Sequence, residues 1–253
     1  MKLYIGKWCF SPKFLTSILT LIFITLFAYL GMWQLDRAEY KRNLYTEFEN
    51  RQSSSETDFN QEANNKLDKQ ALIWKRIKVR GEFLEQYQIL LDNQVEDTHA
   101  GYFVYTPFKI DQSEKVVLVN RGWLIANTDR TVSPELVMTN GPVEINAVVK
   151  DTPRTGLLLK ELPPEKLKET IYRVQRIDIN ELEDLTQQKL LPYIVRLEPE
   201  SKHGYIKKWR KPGSGENTHN GYAFQWFAFA VVLLIIYLAL NIKKIDKAGK
   251  QNE

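Results

Sequence analysis

A single histidine near the C-terminal end has neighbours suited to binding a flat, apolar metal cofactor. His219 is followed at helical spacing by Tyr222 and Trp226, so on a helix the three side chains form one stripe. A neutral imidazole is a common metal ligand, and the aromatic rings would shield a porphyrin such as haem. Asn217 or Thr218 is the candidate N-cap of that helix. One interpretation of these residues is therefore a haem-iron ligand at His219.

The other interpretation is structural, because polar aromatic residues are common where a helix enters a membrane. The remaining histidines, His99 and His203, have no second His or Cys at the spacing of a zinc site. The sequence also contains no glycine-rich phosphate loop and no Gly-x-Ser-x-Gly elbow. These residues alone favour the structural interpretation of His219, and they predict that the chain is not an enzyme.

Polar side chains at the same membrane face are candidates for contacts with a ligand or a partner. Gln34 ends one apolar segment and Gln225 begins another, so the two amides either bond across the helices or reach lipid headgroups. Arg37, just outside, would pair with anionic lipid or with carboxylates such as haem propionates, and lipid is the simpler choice. Trp33 suits the headgroup zone beside them.

A further candidate lies in the polar region, where Asn120, Arg121, Gly122 and Trp123 follow a short apolar run. The pattern predicts a strand that closes at this block, with Arg121 emerging at its end, where binding sites often form. The alternative is a plain strand terminus in which Trp123 fills the core. The sequence alone favours that alternative.

Two uncharged apolar segments, residues 14–33 and 222–240, must position the membrane-face residues. Each is long enough to cross a hydrocarbon core of ~30 Å as a helix. The first resembles a signal peptide, but it is longer than a usual signal core and no small-x-small cleavage motif follows it. The predicted division is an N-terminal segment at 1–13, transmembrane helices at 14–34 and 222–241, a polar domain at 35–221 and a lysine-rich tail at 242–253.

Lysines at both ends predict the orientation of the chain. They are Lys2, Lys7, Lys13, Lys243, Lys244, Lys247 and Lys250. Because lysine-rich flanks stay in the cytoplasm, both termini are predicted to be cytoplasmic and the domain at 35–221 periplasmic, in a bacterial inner membrane. The basic run at 202–211 opposes this orientation, but long segments cross membranes largely regardless of charge.

Charge and cysteine content exclude two classes of function. The formal net charge of +4 reflects flanking lysines rather than a basic stripe, so no nucleic-acid partner is predicted. The single cysteine, Cys9, lies outside the polar domain. Disulfides within that domain and metal transfer by paired thiolates of one chain are therefore excluded.

The polar domain has the pattern of a sheet with one wet face. Apolar and charged residues alternate over 77–83, and further strands are predicted at 87–91, 102–108, 116–120, 143–149 and 193–197. Helices are predicted over 35–50, at 165–168 after two prolines and at 178–188, with a polar linker at 52–65. The predicted fold class is α+β, with two transmembrane helices flanking a mostly antiparallel β domain that is either a sheet or a partly closed barrel.

Four blocks of the sequence together resemble the Surfeit locus protein 1 family, known as Shy in yeast. The blocks are Gly31-Met32-Trp33-Gln34-Leu35-Asp36-Arg37, Gly101-Tyr102 with Thr106-Pro107-Phe108, Val117-Leu118-Val119-Asn120-Arg121-Gly122-Trp123, and His219 with Tyr222-Ala223 and Gln225-Trp226-Phe227. They occur in the family's order and extend over essentially the whole chain. One departure is Ile171-Tyr172, where the family often has a tryptophan.

The resemblance implies an assembly factor for an aa3-type haem–copper cytochrome c oxidase, which assists haem A delivery to the catalytic subunit at the periplasmic membrane face. It implies transient haem A binding with His219 as the iron ligand, and it moves that interpretation ahead of the structural one. The candidate haem-binding residues are His219, Tyr222, Trp226, Trp33 and Arg37, and the candidate partner-binding residues are Gln34, Gln225, Asn120, Arg121 and Trp123.

The partners expected from the resemblance are the oxidase catalytic subunit, haem A synthase and the lipid bilayer. Two alternatives belong to other classes of function. One is a membrane-anchored scaffold that stabilises an oxidase assembly intermediate without binding haem. The other is a membrane-anchored periplasmic enzyme, which requires a cluster of acid–base residues in one pocket of the polar domain.

Overall fold

The computed structural model describes residues 3–62, 68–153 and 162–244. The chain forms two compact units: residues 1–47 with 211–253, which we call the helical unit, and residues 48–210, which we call the head. In chain order the elements are β1 (Leu3–Ile5), β2 (Trp8–Phe10), α1 (Phe14–Gln52), β3 (Thr57–Asp58), α2 (Phe59–Glu62), α3 (Lys69–Leu72), β4 (Arg76–Phe83), β5 (Gln88–Glu96), β6 (His99–Ile110), β7 (Val116–Ile125), β8 (Val143–Lys150), β9 (Glu165–Lys168), β10 (Ile171–Val174), α4 (Ile179–Thr186), β11 (Leu190–Leu197), α5 (Glu216–Asn241) and β12 (Ile242–Lys244).

The helical unit contains two helices, α1 and α5, that are long and apolar enough to cross a membrane, as expected for a two-pass membrane protein. Helix α1 begins at Phe14 and continues through the charged region predicted to extend it, whereas α5 begins at Glu216, ahead of its apolar segment. The helices pack antiparallel. Ser17 Oγ lies 2.6 Å from Tyr237 Oη near one end of the pair.

The chain segments before α1 and after α5 form a small sheet that the sequence did not predict. Strand β2 pairs antiparallel with both β1 and β12, so that Phe10 lies opposite Leu3 on one side and Ile242 on the other. Each strand is only three residues long, and the pairing of β2 with β12 joins residues from opposite ends of the chain. Lys2, Lys247 and Lys250, used to predict the orientation, lie outside the described residues.

The head is built on a closed five-stranded β barrel. Strands β4, β8, β11, β7 and β6 are neighbours in that order, and the ring closes because β4 also pairs with β6. Most neighbours are antiparallel, and β7–β11, β5–β10 and β3–β4 are parallel. The predicted fold class, α+β with a mostly antiparallel sheet or barrel, is confirmed.

The barrel interior is filled by alternate residues of its strands. Ile77, Val79, Gly81 and Phe83 of β4 are buried while the charged residues between them are exposed, as the alternation predicted. A second apolar cluster lies under α4, which packs Leu182 against Val116 and Ile194. The predicted helix at 178–188 is confirmed as α4, with Asp178 accepting hydrogen bonds from the first turn.

Several local predictions were wrong. The predicted helix at 165–168 is strand β9, because its charged residues pair antiparallel with β10, a strand the sequence analysis did not predict. The predicted linker at 52–65 contains β3 and α2, and its last residues, 63–65, lie outside the described residues. The strand predicted to close at 116–120 continues to Ile125.

Candidate functional site

His219 lies in the first turns of α5. The helix begins at Glu216, and Gly215, with φ of 102°, is its N-cap. The His219 amide donates to the Gly215 carbonyl at 3.3 Å. The prediction of Asn217 or Thr218 as N-cap was therefore wrong: both lie inside the helix, because a left-handed glycine ends the preceding loop earlier.

Gln34 of α1 contacts His219 directly and is itself buried, with 9% of its surface exposed. Its Oε1 lies 2.7 Å from His219 Nδ1. An amide oxygen only accepts hydrogen bonds, so Nδ1 carries the hydrogen and the neutral ring keeps its lone pair on Nε2. Metal-ligating histidines usually donate their other N–H to a carbonyl or carboxylate in this way. The hydrogen bond to Gln34 thus orients the His219 ring and leaves Nε2 available to accept.

Gln225 lies on an exposed face of α5. Of the two alternatives for Gln34, the structure shows bonding across the helices, and the partner is His219 rather than Gln225. Close packing near this bond depends on Gly31, since a Cβ at that position would lie 2.7 Å from Phe227 Cζ. A small residue that lets two membrane helices approach is typical of such interfaces.

The aromatic candidates around His219 divide into two kinds. Trp33 and Tyr222 are 45% and 49% exposed, and the Arg37 guanidinium lies 6.0 Å from the Trp33 ring centroid. Trp226 instead stacks on Phe27, with centroids 5.7 Å apart. Trp33, Tyr222 and Arg37 therefore offer surface to a ligand, and Trp226 holds the two helices together.

The block from Asn120 to Trp123 lies inside β7 rather than at its end. The register with β6 shifts at Arg121, since Tyr105 pairs with Asn120 and Val104 pairs with Gly122. Gly122 has φ of 119° and lies against the carbonyl of Ile206. Arg121 is thus the extra residue of a β-bulge, and the bulge turns its side chain inward.

Arg121 is the largest fully buried side chain of the head, with 1% of its surface exposed. Its Nη1 pairs with Glu85 Oε1 at 3.0 Å, its Nε donates to the His203 carbonyl at 2.9 Å, and its Nη2 donates to Thr139 Oγ1 at 3.1 Å. The guanidinium also lies 4.6 Å from the Phe83 ring centroid. Its donors are thus engaged inside the head.

The ion pair of Arg121 extends into a buried polar network. Glu85 accepts a hydrogen bond from the Thr139 amide at 2.7 Å and another from Gln88, whose Oε1 accepts from Thr106 Oγ1 at 2.8 Å. Burial lowers the pKa of His203, and the positive charge of Arg121 adds to that effect. The network satisfies the polar groups that the bulge brings inside.

Trp123 and Asn120 also make internal contacts. Trp123 is 5% exposed, and its Nε1 donates to the Gln94 carbonyl at 3.0 Å. Its ring covers Gly101, where a Cβ would lie 2.4 Å from Trp123 Cε2. Asn120 Oδ1 accepts from the Gly122 amide at 3.0 Å. This placement supports the alternative in which Trp123 fills the core, and a direct partner contact by the block stays a prediction.

Several partners in these sites were not identified from the sequence. Glu85 is one carboxylate among many in the head, and Arg42, which bonds Glu216 at 2.8 Å across the helices, is one of many charged residues of α1. Neither residue could be identified from its spacing to its partner, because each partner lies far away in the sequence. The sequence analysis singled out Gln34 as a polar residue at the membrane face. It did not pair Gln34 with His219, which lies 185 positions away.

The side chains available as metal ligands determine whether the site suits a bare metal ion or the iron of a porphyrin. Among the described residues there is no group of three or more His, Cys, Asp or Glu side chains able to hold a metal ion. His219 offers one oriented imidazole nitrogen, and the rings of Trp33, next to Gln34 in the chain, and Tyr222, one helical turn after His219, are exposed. One nitrogen ligand with flat apolar neighbours fits a porphyrin iron, whose other ligands come from the macrocycle, and does not fit a bare ion.

Comparison with known proteins connects these features. Residues 21–231 match the model of the SURF1 family. The chain is 26% identical over 234 residues to a SURF1-like protein of Rickettsia bellii, with 88% of each chain covered. It is 25% identical over 230 residues to a SURF1-like protein of Rickettsia felis, covering 88% of this chain and 95% of that protein.

Proposed function

The chain belongs to the SURF1 family, known for cytochrome oxidase assembly, and from that membership we propose that it assists haem A delivery during assembly of an aa3-type cytochrome c oxidase. The observation that carries the haem part of the proposal is the hydrogen bond between Gln34 and His219. It fixes the imidazole of a membrane-proximal histidine in the form that leaves Nε2 free for iron.

In this mechanism His219 would hold the haem iron through Nε2, and Gln34 would keep the ring oriented. A single imidazole ligand from the protein would suit a carrier that must release its cargo. The exposed faces of Trp33 and Tyr222 supply apolar contact. Arg37 is the candidate partner of a propionate.

The proposed setting is a bacterial inner membrane with both termini in the cytoplasm. The lysines that flank the apolar helices support this orientation, which puts the head and His219 on the periplasmic side. The partners we propose are the oxidase catalytic subunit, which receives the cargo, haem A synthase, which supplies it, and the bilayer itself. The protein would act by binding and release, without catalysing a reaction.

A deletion strain tests the oxidase role first. Reduced-minus-oxidised spectra of its membranes should show selective loss of the haem a band relative to the haem b bands, restored by the wild-type gene. An unchanged haem a band would contradict the proposal.

Substitutions at two histidines distinguish a haem-binding role from a scaffold role. Full-length His219→Ala protein should lose haem binding and fail to restore the haem a band, whereas His99→Ala, at an exposed head position, should behave as wild type. If His219→Ala protein keeps equal haem and full oxidase assembly, the haem mechanism is wrong and the scaffold without haem takes its place.

A further inference from the structure

A cavity of about 430 Å³ opens on the head, on the outer face of the strands that carry Tyr105, Asn120 and Arg196. It is separate from the interior network of Arg121 and lies entirely within residues 91–210. Its walls also include Lys150, the last residue of β8, and Trp209, which lies in the basic run at 202–211. A ligand site in this cavity therefore does not depend on the haem proposal.

Two partly buried cations of this cavity, Arg196 and Lys150, have no carboxylate partner among the described residues. Arg196 Nε is buried and has no hydrogen-bond partner there, while its guanidinium lies 4.6 Å from the Trp209 ring centroid. The second cation is Lys150, whose ammonium lies 5.7 Å from the Trp74 ring centroid. Buried polar groups are nearly always hydrogen-bonded, so an unpaired donor on a residue that lines a cavity points to a missing acceptor.

Two carboxylates line the cavity, Asp151 and Glu96, and neither forms an ion pair with Lys150 or Arg196 among the described residues. Asp151, which lines the cavity next to Lys150, forms an ion pair with Lys69 at 2.6 Å. Lys208, also at the rim, pairs with Asp97. The positive charge of Lys150 and Arg196 is thus left to an acceptor from outside the head.

The electrostatics show the cost of keeping these cations together. Burial lowers the pKa of Lys150 to about 8, and the like charge of Arg196 adds to the effect. Burial also lowers the pKa of Arg196 to about 10, opposed by the nearby Tyr105. An anion between the two cations would remove both penalties, because an opposite charge favours the charged form of each.

The remaining walls are apolar and aromatic. The Phe103 and Trp209 ring centroids are 5.8 Å apart, and Leu91 and Ile194 line the same space. We propose that this cavity binds an oxyanion carried on an apolar body, with Arg196 and Lys150 holding the anionic group and Trp209 and Phe103 holding the apolar part. Two sources share that chemistry: a free amphipathic carboxylate and the headgroup of an anionic lipid.

The first test measures binding of 2-naphthoate, an aromatic carboxylate, to the full-length protein in phosphatidylcholine nanodiscs by calorimetry. The neutral isostere 2-naphthylmethanol is the matched probe. Naphthoate should bind about tenfold or more tightly than the alcohol, because hydrogen bonds to charged groups are the stronger ones. Equal affinity for the two probes would overturn the proposal.

Matched variants assign that binding to the cavity. Arg196→Gln should weaken naphthoate binding about tenfold or more, whereas Arg80→Gln removes the same charge from an exposed pair with Glu144 and should leave it unchanged. Equal effects of the two substitutions would overturn the assignment. Lys150→Met gives a second, independent loss of affinity if Arg196→Gln protein fails to fold.

Anionic nanodiscs distinguish the two sources. If the natural occupant is a lipid headgroup, replacing a fifth of the lipid by phosphatidylglycerol should weaken apparent naphthoate binding to the wild type by competition. If it is a free carboxylate, the affinity should be the same in both lipid mixtures. Either result supports an oxyanion site, provided that Arg196→Gln weakens naphthoate binding about tenfold or more.

Discussion

Gln34 Oε1 accepts a hydrogen bond from His219 Nδ1 at 2.7 Å and so joins the two membrane helices at the residue proposed to bind iron. Two of the sequence blocks that carry the family resemblance thus meet in one contact. In the proposed function Gln34 acts through His219 as a positioning residue. It would hold the ring and fix which nitrogen carries the hydrogen.

Gln34→Leu should lower the haem affinity of the purified full-length protein about 10–100-fold, the usual effect of removing the partner of a metal-bound histidine. Leucine keeps the approximate size of the side chain but accepts no hydrogen bond. The measurement is a Soret-band titration with haem in neutral detergent.

The matched control is Gln225→Leu, because Gln225 lies on an exposed face of the same helix pair. This variant should bind haem as the wild type does. Equal affinities of Gln34→Leu and wild-type protein would show that His219 does not depend on Gln34, and the positioning role would be lost.

The sequence predicted the parts of the structure that local patterns determine. The apolar segments predicted α1 and α5, alternation predicted β4, and the helical candidate at 178–188 predicted α4. Each of these signals depends on neighbours within one or two turns.

What the sequence did not show depends on residues far apart in the chain. The bulge at Arg121 arises from its register with β6, and the Glu85 partner comes from another part of the barrel. The charged segment at 165–168 became a strand only because β10 pairs with it. In the candidate site, His219 could be singled out by its own neighbours, but its partner Gln34 had no local signal.

Gly31→Ala should destabilise the helical unit by about 1–3 kcal/mol, because its Cβ would lie 2.7 Å from Phe227 Cζ and overpacking carries a cost of that size. The measurement is thermal unfolding in neutral detergent. Gly221→Ala is the control, since a Cβ there has no atom of the described residues within 4 Å. That variant should be neutral or slightly stabilised, and a larger loss in Gly221→Ala than in Gly31→Ala would contradict the packing.

Arg121→Met should lower the free energy of unfolding by about 3–5 kcal/mol, because it leaves the buried carboxylate of Glu85 without its cation. Denaturant unfolding of the full-length protein measures the change. Arg80→Gln, which breaks an exposed ion pair, should cost about 1 kcal/mol or less.

The double variant Arg121→Met, Glu85→Gln tests the cause of that loss. Removing both charges should recover at least about 1 kcal/mol relative to Arg121→Met alone, since the uncompensated charge is the main penalty. If the double variant is less stable than Arg121→Met, packing of the guanidinium between aromatic rings would outweigh its charge.

Lys150→Met should stabilise the head at pH 7 by about 1–2 kcal/mol, allowing for solvent screening. Burial and the charge of Arg196 lower the pKa of Lys150 in the folded head to about 8, from 10.5. Between these values the unfolded chain binds more protons than the folded one, so wild-type stability rises with pH. The charges around Lys150 are Arg196 and the Asp151–Lys69 pair, with the phenol of Tyr105 on the same wall.

The advantage of Lys150→Met should therefore shrink as the pH rises from 8 towards about 10, which denaturant unfolding at several pH values would detect. Lys69→Met is the matched control, because it also removes one lysine beside Asp151 but breaks an ion pair. It should give no gain at pH 7. An advantage of Lys150→Met that stays constant across this pH range would mean that methionine improves packing, and that Lys150 carries no strained charge for an anion to relieve.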